Sequence, residues 1–374
     1  MGAKGSKQGA CASSTRETMG STVSSIGERL PAEEHKSCVY LDYNATSPIF
    51  PEVAEEMQPF LFHHFGNPSS GHVFARPCAA AVKLARERVA KLIGCETEEI
   101  LFTSCGSESD NHAIVGVISA ASERLAGATP HIVSSNIEHP AILECLSALA
   151  AEGRLTYTLV PVDGEGLVSP AQVAEAMTPN TVLVSVMHSN NEIGTLQPIA
   201  EIAKVAKAKG AVMHTDAAQS FGKVPVKADE TGADLITVVG HKFGAPKGVA
   251  GLYIRKGTPI KRMLHGGGQE SGLRAGTENV LLISGLGKAA DLYEVQASET
   301  TSHLSTLRDK LQAVLVEKCT ALGVEVMVNG PKDDAKRLPN TLSISIQGLS
   351  ASLLLSKLQN TMAASAGAAC HSGG

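Results

Sequence analysis

The chain has no tryptophan, few aromatic residues of any kind, and charged side chains at only 18% of its 374 positions. Its formal net charge is −5, so it carries no basic excess for a polyanion, and nucleic acid is not an expected partner. No apolar run approaches the roughly 20 residues needed to cross a bilayer, which argues against stable membrane insertion. The N-terminus also lacks the apolar core of a secretory signal. Eight cysteines are present, but they form no CxxC pair and no regular framework. That pattern suggests neither a metal site nor a disulfide scaffold and fits a reducing compartment, so the cytosol is the expected location.

What is present is 43% apolar residue content, in a length that suits one large α/β unit and a smaller one. Residues 1–37 are rich in Gly, Ser, Thr and charge without apolar periodicity, and they read as a flexible extension. From Val39 onward β-rich runs alternate with Ala-rich helical stretches. The runs span 98–104, 130–135, 155–162, 181–188, 211–216, 234–240 and 248–255, which predicts a mostly parallel, helix-covered sheet of seven strands. Between them, 74–94 repeats Val82, Ala85, Val89 and Leu92 at helical spacing, a core-facing stripe. A long helical stretch follows at 280–322 and a strand at 340–346. The expected organisation is a large domain over 59–265 and a smaller α+β domain made of 38–58 plus 266–374.

Residues able to do chemistry sit just after the predicted strands, where open α/β sheets place ligands. The run DLITVVG leads into Gly240, His241 and Lys242, and then into a Gly/Pro-rich turn. A lysine after a strand is ordinarily a solvated surface residue. Held beside a buried sheet, however, it favours the neutral amine, which can condense with an aldehyde. Asp216, closing the preceding strand in HTDAAQ, supports that second reading, because a carboxylate keeps a pyridine nitrogen protonated and the ring an electron sink. Gln219 follows, placed to hydrogen-bond a phenolic oxygen. His214 stays open between a functional role and that of a satisfied polar residue. In FTSCGSESDN a strand runs into Cys105, Gly106 and Ser107 and then a helix. Gly106 permits close backbone approach and Ser107 adds a hydroxyl, which suits a phosphate as well as an ordinary helix cap. His139, in EHPAIL, can lie flat on a ring or be a plain loop residue. Aldehyde, pyridine nitrogen, phenolic oxygen and phosphate together describe pyridoxal 5′-phosphate (PLP).

Eleven segments in order carry a resemblance that spans Val39 to the last residue: YLDYNATSP, GNPSSGH, TSCGSESDN, EHPAIL, NNEIG, HTDAAQ, GHKFGAPKG, HGGGQE, RAGTEN, RLPNT and SAGAACHS. The chain resembles the NifS-like class V aminotransferase group, the PLP-dependent fold type I family of cysteine desulfurases and selenocysteine lyases. The resemblance implies Lys242 as the cofactor-bearing lysine, Asp216 on the pyridine nitrogen, Gln219 on the phenolic oxygen and His139 stacked on the ring. It puts Ser107 and His241 at the phosphate with Gly106 in the cradle, and Asn191 against cofactor and substrate. Thr277 is implied to reach the phosphate of a partner subunit, hence a homodimer. Cys370 is the implied sulfur- or selenium-handling thiol, with His371 able to lower its pKa. Lys242, Cys370 and His139 are the expected catalytic set.

One departure from the group is Val239, where many desulfurases carry a phosphate-binding Ser and the selenocysteine lyase subgroup does not. Selenocysteine, cleaved at Cβ–Se to alanine and selenide, is therefore the first expected substrate. Cysteine, with persulfide sulfur passed to an acceptor protein, is the alternative. No R-[LIF]-S-x-G segment follows Cys370 to clamp a substrate carboxylate, so the small domain is expected to be incomplete at its C-terminal end. A family member that is inactive and acts through protein partners is the reading from another class. Finally, MGAKGSKQGAC fits N-myristoylation at Gly2, with Cys11, Lys4 and Lys7 as further membrane signals, and implies transient membrane contact at most.

Overall fold

The computed structural model describes residues 38–122 and 124–367. Its elements, in chain order, are β1 (Val39–Tyr40), α1 (Pro51–Met57), α2 (Pro59–Phe62), α3 (Arg76–Ile93), β2 (Ile100–Thr103), α4 (Gly106–Ala121), β3 (His131–Ser135), α5 (Pro140–Ala151), β4 (Thr156–Val160), α6 (Pro170–Ala176), β5 (Thr181–Ser185), α7 (Ile199–Ala208), β6 (Val212–Asp216), α8 (Ala228–Thr231), β7 (Leu235–Val239), β8 (Ala250–Ile254), α9 (Val280–Ala321), β9 (Val326–Val328), β10 (Ile344–Ile346), α10 (Ala351–Leu358) and β11 (Met362–Ala363). Two compact units are distinguished among these residues: 38–41 with Ser350–Ala366, and Asp42–Leu349 with Gly367. In the small unit β1 pairs in parallel with β11, Val39 opposite Met362, and the Ser350 hydroxyl caps α10 by accepting the Leu353 N–H.

The large unit is built on a seven-stranded sheet of order β2-β8-β7-β6-β5-β3-β4. Only β8 runs against its neighbours; the other pairings are parallel. All seven strands lie inside the runs that the apolar pattern predicts. β5, β6 and β7 are buried along their whole length, which is why they read as near-continuous runs of Val, Ile, Leu, Met and Thr rather than as alternating strands. Side chains of one strand still go to opposite faces: Ile100 and Phe102 join the core that holds Val89, Ile202 and Leu286, while Leu101 joins the one that holds Ile114, Val117 and Ile142. Thus α3, α7 and α9 cover one face, and α4 and α5 cover the other.

α3 buries all four residues of its predicted stripe and stops at Gly94, whose left-handed φ of 76° lets its N–H close on the Ala90 carbonyl. α9 runs as a single helix and crosses α3 closely, since a Cβ on Gly287 would stand 2.4 Å from the Ala85 Cα. The predicted strand at 340–346 shortens to β10. Asn340 and Thr341 leave the ladder and hydrogen-bond Asn44 instead, at 2.9 and 3.0 Å.

Candidate active site

Four parallel strands deliver residues to one edge of the sheet: β3 leads to Glu138 and His139, β5 to Asn191, β6 ends on Asp216, and β7 runs into the turn 240–242. Strand order reverses around β3, because β4 lies on one side of it and β5 on the other, and ligands of open α/β sheets bind at such a switch point. A third partner arrives from far away in sequence. Lys242 Nζ donates to the carbonyl oxygens of Asn44 (2.6 Å) and Ala45 (2.9 Å). The segment around them is stitched to the lysine turn: Ser47 N–H and Oγ both donate to the His241 carbonyl, and Gly244 N–H donates to Ser47 Oγ at 2.8 Å. Gly244 has to be glycine, since its φ is +85° and a Cβ would stand 2.2 Å from the Phe50 ring. Asn44 also donates its side-chain amide to the Asn191 carbonyl at 3.1 Å, which brings the NNEIG turn to the same place.

Asp216 is buried and accepts the Ala218 N–H at 2.8 Å. Burial pushes its carboxyl up, while that hydrogen bond and the nearby His139 and Lys242 pull it back. His139 caps α5, its Nδ1 accepting the Ala141 N–H at 3.1 Å, so a neutral ring carries its proton on Nε2. His241 is pushed down to about 4 by burial and by Lys242, Lys247 and Lys223, and it is therefore neutral in the physiological range. Its Nδ1 lies 3.1 Å from Thr46 Oγ1. α4 begins at Gly106 with no side chain capping its first turn, and Ser107 is exposed there. Gly106 abuts the end of β7: a Cβ would meet Val239 Cγ2 at 2.7 Å. These features fit PLP. A buried carboxyl whose anion burial disfavours gains its missing counter-charge from a protonated ring nitrogen, the lysine and histidine are near it, and an uncapped helix start with a glycine at the contact point suits a phosphate.

Not every expected residue joins this group. Thr277 is exposed and lines a cavity of about 210 Å³ with Ser104, Val249, Glu270 and Arg274, none of which belongs to the lysine cluster. Its loop is tied down by the pairs Arg86–Glu270 (2.6 Å) and Arg274–Glu108 (2.8 Å). Cys370 and His371, like Gly2, Lys4, Lys7 and Cys11, lie outside the described residues. His214 is a satisfied core residue: its ring nitrogens meet Ser185 Oγ and Thr237 Oγ1, and burial pushes it down to about 3. Asn44, Asp110, Glu138 and Lys223 are additions to the expected set. Asp110, buried under the site, is held well above the usual carboxylate range by burial and by Asp216. Glu138 is pushed up to about 8 by burial. The motif segments contain Asn44, Asp110 and Glu138, and Lys223 lies four residues past Gln219, but nothing local distinguishes the four from ordinary polar residues.

The fold and this constellation define a PLP-dependent α/β enzyme of fold type I. The Aminotransferase class-V family matches residues 39–372, and the chain belongs to it. It is 44% identical over 335 residues to the cysteine desulfurase IscS of Dictyoglomus turgidum, covering 89% of this chain and 82% of that protein. It is 43% identical over 339 residues to the cysteine desulfurase NifS of Azotobacter vinelandii, covering 90% and 81%. Among solved structures, a NifS-like protein superposes with a TM-score of 0.79 at 37% identity, covering 86% of this chain and 85% of that one. SspA in complex with cysteine does so with 0.75 at 33% identity, covering 89% and 90%.

Proposed function

We propose that this chain is a cysteine desulfurase that splits L-cysteine at Cβ–S into alanine and a transferable sulfur. The observation that carries the reading is Lys242 in the turn after β7, near enough to the buried Asp216 at the end of β6 to pull its carboxyl down, in a chain whose relatives are named for that reaction. Bound PLP supplies an electron sink. Asp216 holds the proton on its ring nitrogen, His139 covers the ring, and Ser107 and His241 hold the phosphate with Gly106 at the contact. Gln219 donates to the phenolic oxygen and Asn191 orients the substrate. Lys242, once its amine is free, moves a proton at the substrate Cα. Cys370 attacks the substrate sulfur as a thiolate. An S–S bond forms, Cβ–S breaks with its electron pair left on carbon, and Cβ is protonated to give alanine. An acceptor protein then takes the sulfur. We place the protein in the cytosol as a homodimer, with the large and small domains divided at 59–265 as the apolar pattern suggests.

Selenocysteine differs from cysteine by one chalcogen and is the second reading. Val239 favours it: its methyl group packs toward Gly106 where a serine would offer the phosphate a hydroxyl. One experiment addresses both. The purified protein is expected to hold PLP that borohydride fixes to Lys242, and Lys242→Ala is expected to lose the visible absorbance and about 10²- to 10⁴-fold of alanine formation. Labelling of another lysine overturns the assignment. Faster alanine formation from selenocysteine than from cysteine, with no persulfide at Cys370 by mass spectrometry, moves the substrate to selenocysteine.

A further inference from the structure

A second lysine lies in the same network. Lys223 is 6% exposed, and its Nζ donates to Gln219 Oε1 at 2.9 Å. Gln219 is as deeply buried, and its Nε2 donates to the Asn44 carbonyl at 2.8 Å, the same oxygen that receives Lys242 Nζ. The backbone of Lys223 is held in turn: its N–H donates to the Ser220 carbonyl at 2.9 Å, and its carbonyl accepts from Thr301 Oγ1 of α9 at 2.9 Å. Among the described residues no carboxylate forms an ion pair with Lys223, so a desolvated ammonium stands there against an amide oxygen alone.

An ammonium only donates, whereas an amide has one accepting end and one donating end, and a half-turn about χ3 exchanges them. With Lys223 protonated, the turned amide would set its NH₂ against an NH₃⁺, so one orientation is left. We propose that Lys223 is a positioning residue: by holding Gln219 Oε1 it keeps Nε2 as the donating end, which meets the Asn44 carbonyl that Lys242 Nζ shares and is the end left for the cofactor. This rests on the PLP reading above and assigns Lys223 no contact with substrate.

The test uses the PLP-loaded protein. Burial, and then the charge of Lys242, pushes Lys223 down to about 7, so the comparison is made about one pH unit below that value. Lys223→Met keeps the buried stem and removes the donor. It is expected to move the visible absorbance maximum and to raise the PLP dissociation constant about tenfold, the worth of one mis-set buried hydrogen bond. In a Gln219→Ala background the same change should shift neither quantity further. Lys223→Arg, which keeps charge and donors, should stay close to the unsubstituted protein. Equal shifts in both backgrounds, or an altered melting temperature with unchanged spectrum and affinity, overturn the proposal. If Lys223→Met does not fold, a neutron structure of the unsubstituted PLP-bound protein decides, and Gln219 Nε2 facing Lys223 overturns it. An unsubstituted protein that holds no PLP on Lys242 defeats the functional reading instead, so the two failures are distinguishable.

Discussion

Lys242 and Asp216 are ordinary residue types made unusual by where they sit, and the same holds for the charges beneath them. In the site and in the core beneath it, buried and half-buried groups are held in their neutral forms. His188, His214 and His241 are pushed down to about 4, 3 and 4, with burial the largest cause in each. Their folded values lie below the ordinary 6.5, so the unfolded chain takes up protons first on acidification. Their share of the stability is full above 6.5 and is lost as pH falls through about 4 for His188 and His241 and about 3 for His214. Glu138 works the opposite way. Its folded value is raised from 4.5 to about 8, so its share is present below 4.5 and is lost as pH rises through about 8. Its Oε1 accepts from Ser135 Oγ and from the Met187 N–H at 2.9 Å, bonds that a glutamine oxygen can keep. Glu138→Gln is therefore expected to remove a fall in melting temperature of the PLP-free protein that runs from about pH 4.5 to about 8, and to leave the slope below 4.5 unchanged. Melting curves across that range check this, and an unaltered slope there would count against it.

At the scale of elements, the contact between the end of β7 and the start of α4 decides how near a bound phosphate can come to the sheet. Gly106 and Val239 share that contact, and a Cβ on Gly106 would press on Val239 Cγ2 at 2.7 Å. Gly106→Ala is expected to destabilise the PLP-free protein by about 1–3 kcal/mol through overpacking. Val239→Ala, which removes the opposing methyl groups, should recover most of that loss in the double variant. Urea unfolding of the two single variants and the double variant reads the coupling, and additive losses would mean the two side chains do not share the space. This pair also separates what is local from what is not. A helix start after a strand is legible in FTSCGSESDN, and the turn after β7 is legible in GHKFGAPKG. That the two abut follows from sheet order, with β7 and β2 on either side of β8.

For the molecule as a whole, the cofactor site is expected to be shared between two chains. Leu61, Phe62, Phe65 and Phe74 are each more than half exposed, and the Phe65 and Phe74 rings stack at 5.8 Å, an apolar surface that a monomer would leave wet. Sedimentation is expected to find a dimer. Thr277→Ala should weaken PLP retention about tenfold while the urea midpoint holds, the signature of one lost phosphate contact. A stable monomer with undiminished PLP would exclude the shared site. Much of this architecture is written along the chain. The positions of all seven sheet strands, the stripe of α3 and the length of α9 follow from apolar spacing, because burial on one face or on both leaves a local periodic mark. Lys242 and Asp216 are legible for the same reason, since Asp216 closes a strand and Lys242 sits in the turn just after one. The Asn44 carbonyl that receives Lys242 leaves no such mark. A backbone oxygen has no residue identity, and its partner is 198 positions away. Lys223 looks like a surface lysine until the turn after β6 folds it inward onto Gln219, and Glu138 looks like a solvated acid until β3 and β5 close over it. The sequence by itself determined the elements and the strand-end residues, because those depend on near neighbours. Only the tertiary structure decided burial, charge state and the orientation of Gln219, because those depend on which distant segments the sheet order brings together.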